Sequence, residues 1–145
     1  MSKVYIPVAV QRALLELSQG YCEYCVAPSN FSTDYFHYEH IIPLILSGKT
    51  ELENLARSCG ICNNNKRDKI QYIDPLTQQT VRLFHPRQDI WMDHFQWNDD
   101  DLRLVGLTPI GRATINLLKL NRVNTVNLRK LLKMADLHPP KFTLK

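Results

Sequence analysis

A single domain of the α+β class is predicted by three features of the 145-residue sequence. Apolar side chains recur at helical spacing near both ends of the chain, in residues 7–18, 108–120 and 124–134. Residues 35–42 are rich in aromatic and β-branched side chains, which favour a strand. Four cysteines come as two closely spaced pairs on either side of that strand. We therefore expect a central hairpin-and-helix unit that the thiols hold together, with helices before and after it.

The first half of the chain supplies the boundaries of the expected elements. Pro7 suits the first position of the N-terminal helix, and Gly20 suits the turn that ends it. The central strand loses its regular pairing at Pro43, which has no backbone N–H to donate. A short extended piece is expected at residues 52–56, and a polar helix at residues 63–70.

The second half predicts a small β element followed by two helices. Residues 72–84 have the pattern of two short strands around a turn, and residues 102–107 that of a further strand. Thr108 can cap the next helix, with Pro109 in its first turn. The last helix carries several arginines and lysines, which make it a candidate basic surface.

Composition narrows the class of protein without naming a function. Hydrophobic residues make up 44% of the chain and charged residues 22%, both ordinary for a globular protein. The net charge of +4 permits binding to a phosphate backbone but does not demand it. The strongest apolar run, residues 41–46, contains Pro43 and is far too short to span a bilayer. We expect a reducing, cytoplasmic setting, in which disulfides are rare.

The four cysteines predict a structural zinc site. Cys22 and Cys25 form one C-x-x-C pair, and Cys59 and Cys62 form the other. Two intervening residues let both thiols of a pair reach one centre about 2.3 Å away, and four thiolates leave no open position for water. Redox chemistry is the alternative, but it needs only one pair, usually beside a βαβ pattern that this sequence lacks.

A second group of residues lies between and just behind the cysteine pairs. It comprises Glu39 and His40 at the end of the central strand, then Asn54, Asn63 and Lys66. Hydrolysis of a phosphodiester uses these side-chain types. A neutral histidine can take a proton from water, and oxygen ligands can hold a hard divalent cation. The alternatives are ordinary ones: His40 as a core histidine and Asn63 as the cap of the helix expected to start there.

These residues resemble the signature of the HNH endonuclease family, of the ββα-metal type and its four-cysteine, zinc-bearing branch. The resemblance covers residues 22–66 and keeps the family's order and spacing. It also implies the fold, a zinc-stapled ββα-metal hairpin core with a flanking N-terminal helix and a C-terminal β element plus two helices. The motifs that carry it are Glu39-His40-Ile-Ile-Pro, Asn54-Leu55 and Cys59-x-x-Cys62-Asn63-x-x-Lys66.

The resemblance implies a role for each residue of the signature. His40 corresponds to the general base, and Asn54 to the asparagine that braces the loop. Asn63 corresponds to a ligand of catalytic Mg²⁺ or Mn²⁺, as does Glu39, at a position where the family often has Asp or His. Lys66 corresponds to a basic position that faces phosphate. The implied reaction is hydrolysis of DNA that leaves 5′-phosphate and 3′-hydroxyl ends.

The densest basic cluster is predicted to meet the nucleic acid backbone. It consists of Lys66, Arg67 and Lys69. Residues 72–134, within a C-terminal extension of residues 71–145, resemble the C-terminal half of small bacterial HNH proteins, a resemblance that implies no residue roles. We expect one domain over residues 1–145, with a core motif at residues 22–70.

Two other functions remain open at this point. One is a zinc-stabilised nucleic-acid-binding module without catalysis, and the other is a zinc-dependent structural or interaction protein. A binding module has no need of Glu39 and His40 together with Asn63, which favours the nuclease. RNA as the substrate, the target sequence, the biological role and the oligomeric state also remain open.

Overall fold

The computed structural model of the protein describes residues 4–141, and the ends of the expected 1–145 domain lie outside them. The described part contains five helices and six short strands, an α+β architecture that confirms the predicted class. No helix within it combines the length and apolar character that crossing a bilayer requires. In chain order the elements are α1 (Val8–Ser18), β1 (Phe36–His40), β2 (Leu55–Cys59), α2 (Gly60–Lys66), β3 (Gln71–Ile73), β4 (Thr80–Arg82), α3 (Trp91–His94), β5 (Phe95–Trp97), β6 (Leu104–Gly106), α4 (Pro109–Leu118) and α5 (Val123–Met134).

The strands form three separate antiparallel pairs: β1 with β2, β3 with β4, and β5 with β6. In the first pair Phe36 lies opposite Cys59 and His40 opposite Leu55. The long connection between β1 and β2 therefore begins and ends beside His40. Helix α2 follows β2 directly and packs on both strands of this hairpin. The predicted ββα unit is thus present.

Helix α2 begins earlier than the sequence predicted. Its N-cap is Cys59, whose sulfur accepts a hydrogen bond from the Cys62 N–H at 3.4 Å. The helix ends at Lys66, because Arg67 turns to a positive φ of 53°. The expectation of a helix over residues 63–70 with Asn63 as its cap is therefore wrong. Cys59, the first cysteine of the second C-x-x-C pair, opens the helix, and not an asparagine.

Helix α1 covers one face of the hairpin through an apolar contact. Leu14 is fully buried and packs with Leu55 and Ile6. The helix matches the predicted span within one residue, with Pro7 as its N-cap rather than its first helical residue. It ends where Gln19 and Gly20 both adopt a positive φ.

Helix α4 and the residues just after it share one apolar core with the cysteine unit. Leu117, Leu118 and Leu120 belong to the same buried cluster as Cys22 and Phe84. As predicted, α4 is capped by Thr108, whose hydroxyl accepts from the backbone N–H of Gly111 at 3.0 Å.

A buried carboxylate joins the β3–β4 turn to α4. Asp74 is fully buried, and its two oxygens accept hydrogen bonds from Arg112 at 2.9 Å each. This ion pair connects two parts of the segment that follows residue 70.

Candidate active site

The four cysteine thiols converge on one point, as predicted. Their sulfur atoms all lie within 4.8 Å of one another, and all four residues are buried. Cys25 Sγ and Cys59 Sγ are 3.7 Å apart. A tetrahedron with metal–sulfur bonds of 2.3 Å has sulfur–sulfur edges of about 3.8 Å, whereas a disulfide would bring two sulfurs to about 2.05 Å. The arrangement therefore fits a tetrahedral zinc ion.

The electrostatics of this cluster also call for a cation. Burial raises the pKa of the Cys22 thiol well above its ordinary value, and its hydrogen bonds with Cys25 and Cys59 raise the pKa further, whereas the one with Cys62 lowers it. Four thiolates can therefore coexist here only if a bound metal compensates their charge. Because four sulfur ligands complete the tetrahedron, the site suits a structural role.

His40 lies at the end of β1 with its imidazole half-buried. Its Nε2 atom is 2.8 Å from the hydroxyl oxygen of Thr50, in the connection between β1 and β2. Burial lowers the pKa of His40 below its ordinary value, and the positive charge of Lys66 lowers it further. The ring is therefore neutral at pH 7 and able to accept a proton. Sequence reasoning missed Thr50, since no spacing rule marks a partner ten residues away in a loop.

Asn54 fastens the connection between β1 and β2. Its side chain is buried, and its Oδ1 accepts from the Ile42 N–H at 2.8 Å. Its Nδ2 donates to the carbonyls of Ile42 at 2.9 Å and Lys49 at 2.8 Å. Gly48 allows this close packing, because a Cβ there would lie 1.7 Å from the Ile42 carbonyl oxygen. The amide thus holds the loop that carries Thr50 beside His40.

Glu39 points to the opposite face of β1 from His40, toward α2. Its side chain is 3% exposed, and Lys66 Nζ lies 2.6 Å from its Oε1. The Tyr24 hydroxyl donates to its Oε2 at 2.7 Å. Burial raises the pKa of Glu39 above its ordinary value, and Lys66 offsets part of that effect. Both carboxylate oxygens therefore already have a partner.

The position of Lys66 corrects one prediction. Its side chain is 1% exposed, and besides Glu39 its ammonium donates to the Ile41 carbonyl at 2.8 Å. A group sealed in this way cannot face a phosphate backbone in this conformation. Its neighbours in the predicted basic cluster, Arg67 and Lys69, are exposed and have no ion-pair partner among residues 4–141.

Asn63 lies on α2, one helical turn before Lys66 and so on the same helix face. It is partly exposed, and its side chain makes no hydrogen bond within the described part of the chain. Glu39 and Asn63 thus offer oxygen donors that suit a hard divalent ion in kind. Glu39 could reach such an ion only if Lys66 moved off its Oε1.

The predicted basic surface on α5 is also revised. Arg129 is 3% exposed and faces the interior. Arg122 directs its guanidinium to the cysteine cluster, with Nη1 3.6 Å from Cys62 Sγ and Nη2 3.5 Å from Cys59 Sγ. Sequence reasoning missed both contacts, because they join residues about 60 positions apart in the chain.

Comparison with known proteins agrees with this geometry. Residues 22–69, which contain the thiol cluster, His40, Asn54 and Asn63, match the sequence model of the HNH endonuclease family. This segment therefore matches an HNH endonuclease domain over residues 22–69. The chain is also 26% identical over 146 aligned positions to the Septu protein PtuB of Bacillus thuringiensis. The alignment covers 88% of this chain and 52% of PtuB, so the chain spans about half the length of this curated relative.

Proposed function

We propose that the protein is a metal-dependent endonuclease that hydrolyses phosphodiester bonds of DNA. The observation that carries this proposal is the neutral His40 imidazole, half-exposed and held by Thr50 within an HNH-family segment. A histidine that served only in packing would not need a hydroxyl partner on a loop that Asn54 fastens so firmly.

In this proposal His40 is the general base. With Nε2–H donated to the Thr50 hydroxyl, the ring keeps its lone pair on Nδ1. Nδ1 takes a proton from water as the water oxygen forms a bond to phosphorus. The bond from phosphorus to the 3′ oxygen breaks, and that oxygen takes up a proton. The products are a 5′-phosphate and a 3′-hydroxyl end. Asn54 contributes by keeping the loop and Thr50 in place.

Glu39 and Asn63 are the residues proposed to hold Mg²⁺ or Mn²⁺. A bound hard divalent ion would supply positive charge against the developing charge on phosphorus and the leaving oxygen. For Glu39 to take part, its carboxylate must leave the Lys66 ammonium and turn toward the face of β1 that carries His40, because it points to the opposite face. The free Asn63 amide needs no such movement.

The substrate is proposed to lie against the exposed basic residues that follow α2. Arg67 and Lys69 are exposed and free of ion pairs among residues 4–141, which supports a contact with phosphates. We also propose that residues 1–145 form one domain, supported by the core that Cys22 and Leu117 share. We propose a reducing, cytoplasmic setting, because the four thiols converge on one centre and are not joined as disulfides.

Nicking of supercoiled plasmid in Mg²⁺ or Mn²⁺ tests the proposal. His40→Ala should lower the cleavage rate by about 10²- to 10⁴-fold, the range expected when a general base is removed. His37→Ala is the matched control, because His37 lies on the same strand but points to the other face and is exposed. It should cut like the wild type.

The sealed Glu39 carboxylate favours a second candidate, the non-catalytic nucleic-acid-binding module. If Lys66 never leaves Glu39, the oxygen ligands for a divalent ion are incomplete. Retardation of DNA in a gel with no nicking in Mg²⁺, Mn²⁺, Co²⁺ or Ni²⁺ would support this candidate and refute the nuclease. Absence of both binding and cutting at low salt would instead support an interaction protein.

A further inference from the structure

Two arginines of the C-terminal half approach the thiol cluster from one side. Arg122, the N-cap of α5, spans two sulfurs with its two terminal nitrogens, at 3.6 Å from Cys62 and 3.5 Å from Cys59. Arg129, two turns further along α5, donates from Nη2 to the backbone carbonyl of Cys25 at 3.0 Å. Between them they contact three of the four cysteines.

Neither arginine has a carboxylate partner in the part of the chain that the structure describes. Within the described residues Arg129 donates only to neutral oxygens: the backbone carbonyls of Cys25, Leu102 and Leu120 and the side-chain amide of Asn121. Its guanidinium also stacks on Trp97, 5.1 Å from the ring centre. Burying a guanidinium is costly unless a charge of opposite sign lies near it. The thiolates are the anions within reach.

The charges of the two sides match. A divalent metal bound by four thiolates carries a net charge of minus two. Two guanidinium groups carry plus two, so the centre and its two arginines are neutral together. Four neutral thiols would leave the buried Arg129 and the partly buried Arg122 without a counter-charge.

We propose that Arg122 and Arg129 are the counter-charges of the zinc–thiolate centre and that they couple the C-terminal helix α5 to metal binding. Arg122 stabilises the zinc-bound state by hydrogen bonds to two sulfurs. Arg129 stabilises it by its positive charge, which its hydrogen bond to the Cys25 carbonyl holds beside that cysteine. Helix α5 is thereby part of the metal site, although it lies outside the segment that matches the HNH family. This proposal depends on the zinc site and not on DNA cleavage.

Zinc affinity of the full chain, measured by competition with a chromophoric chelator, tests the proposal. Arg122→Gln should bind zinc about 10- to 100-fold more weakly, as expected when an outer partner of metal ligands is lost. Arg122→Lys keeps the charge but cannot span both sulfurs. Its zinc affinity should therefore lie between that of the wild type and that of Arg122→Gln. Arg12→Gln removes the same charge from an exposed position on α1 and should leave the affinity unchanged.

Cobalt substitution gives a readout that a packing role would not change. Hydrogen bonds from a guanidinium stabilise sulfur lone pairs, so their removal should move the sulfur-to-cobalt charge-transfer band to longer wavelength in Arg122→Gln. Arg129→Gln should also bind zinc more weakly than the wild type does. It serves as a second variant if it folds. Wild-type zinc affinity and an unshifted cobalt band in Arg122→Gln would overturn the proposal. So would equal losses in Arg122→Gln and Arg122→Lys.

Discussion

Replacing Lys66 with Met tests whether the buried ion pair with Glu39 organises the site. Both side chains are nearly inaccessible, at 1% and 3% exposure, and their charged atoms are 2.6 Å apart. Lys66→Met leaves a buried carboxylate whose remaining partner is the Tyr24 hydroxyl. Removing one member of such a pair costs about 3–5 kcal/mol, because the other stays buried without a counter-charge. For a chain of this size the unfolding temperature should fall by roughly 10 °C.

Urea denaturation of the zinc-loaded protein at pH 7 measures this loss. The double variant Lys66→Met with Glu39→Gln should regain most of it, because a neutral amide can still accept from Tyr24. A loss below about 1 kcal/mol in Lys66→Met would refute the reasoning, since that is the value of a surface pair.

The loss in free energy of unfolding caused by Lys66→Met should also depend on pH. Burial raises the pKa of Glu39 in the folded protein, so the folded state keeps a proton that the unfolded chain releases. Stability from this group is therefore lost as pH rises from the ordinary glutamate pKa, about 4.3, through the raised one. Without Lys66 the pKa of Glu39 in the folded protein moves higher still. The stability loss of Lys66→Met should therefore grow from pH 5 to pH 7.

Three further predictions concern the zinc site and His40. Cys59→Ser should abolish folding as well as activity, because zinc binding contributes about 10 kcal/mol or more to folding. Circular dichroism and the zinc stoichiometry of the variant measure this loss. A stable, active Cys59→Ser variant would contradict the prediction. Thr50→Val should slow cleavage by about 10- to 100-fold through misplacement of the imidazole, whereas Thr50→Ser should not; equal rates would remove Thr50 from the site. Because burial lowers the pKa of His40, the midpoint of the acidic decline in cleavage should lie below the ordinary histidine value of about 6.5, and a midpoint above that value would contradict the burial of the ring.

Much of this site follows from spacing along the chain. The C-x-x-C pairs predicted the converging thiols, and the strand pattern over residues 35–42 placed His40 near the end of β1, which the structure ends at His40. Local rules also placed the Thr108 cap of α4. These features depend on neighbours within a few positions, which is the range over which a sequence pattern is informative.

What could not be predicted depends on contacts between distant segments. Lys66 seemed available to phosphate, because nothing in the sequence shows that its side chain turns back onto Glu39. Asn63 seemed to open a helix, because a cysteine sulfur is not a usual cap. Arg129 seemed part of a basic surface, because its burial depends on Trp97 and Cys25, far away in the chain.

The most direct test of the nuclease proposal is single-turnover cleavage of an end-labelled DNA duplex by the zinc-loaded protein in Mn²⁺. The wild type and His37→Ala should cut at equal rates, and their products should carry 5′-phosphates that DNA ligase can rejoin. His40→Ala should be slower by at least about 100-fold. Equal rates for His40→Ala and the wild type would contradict a general base at this position, and no cleavage by any of the three would contradict the nuclease itself.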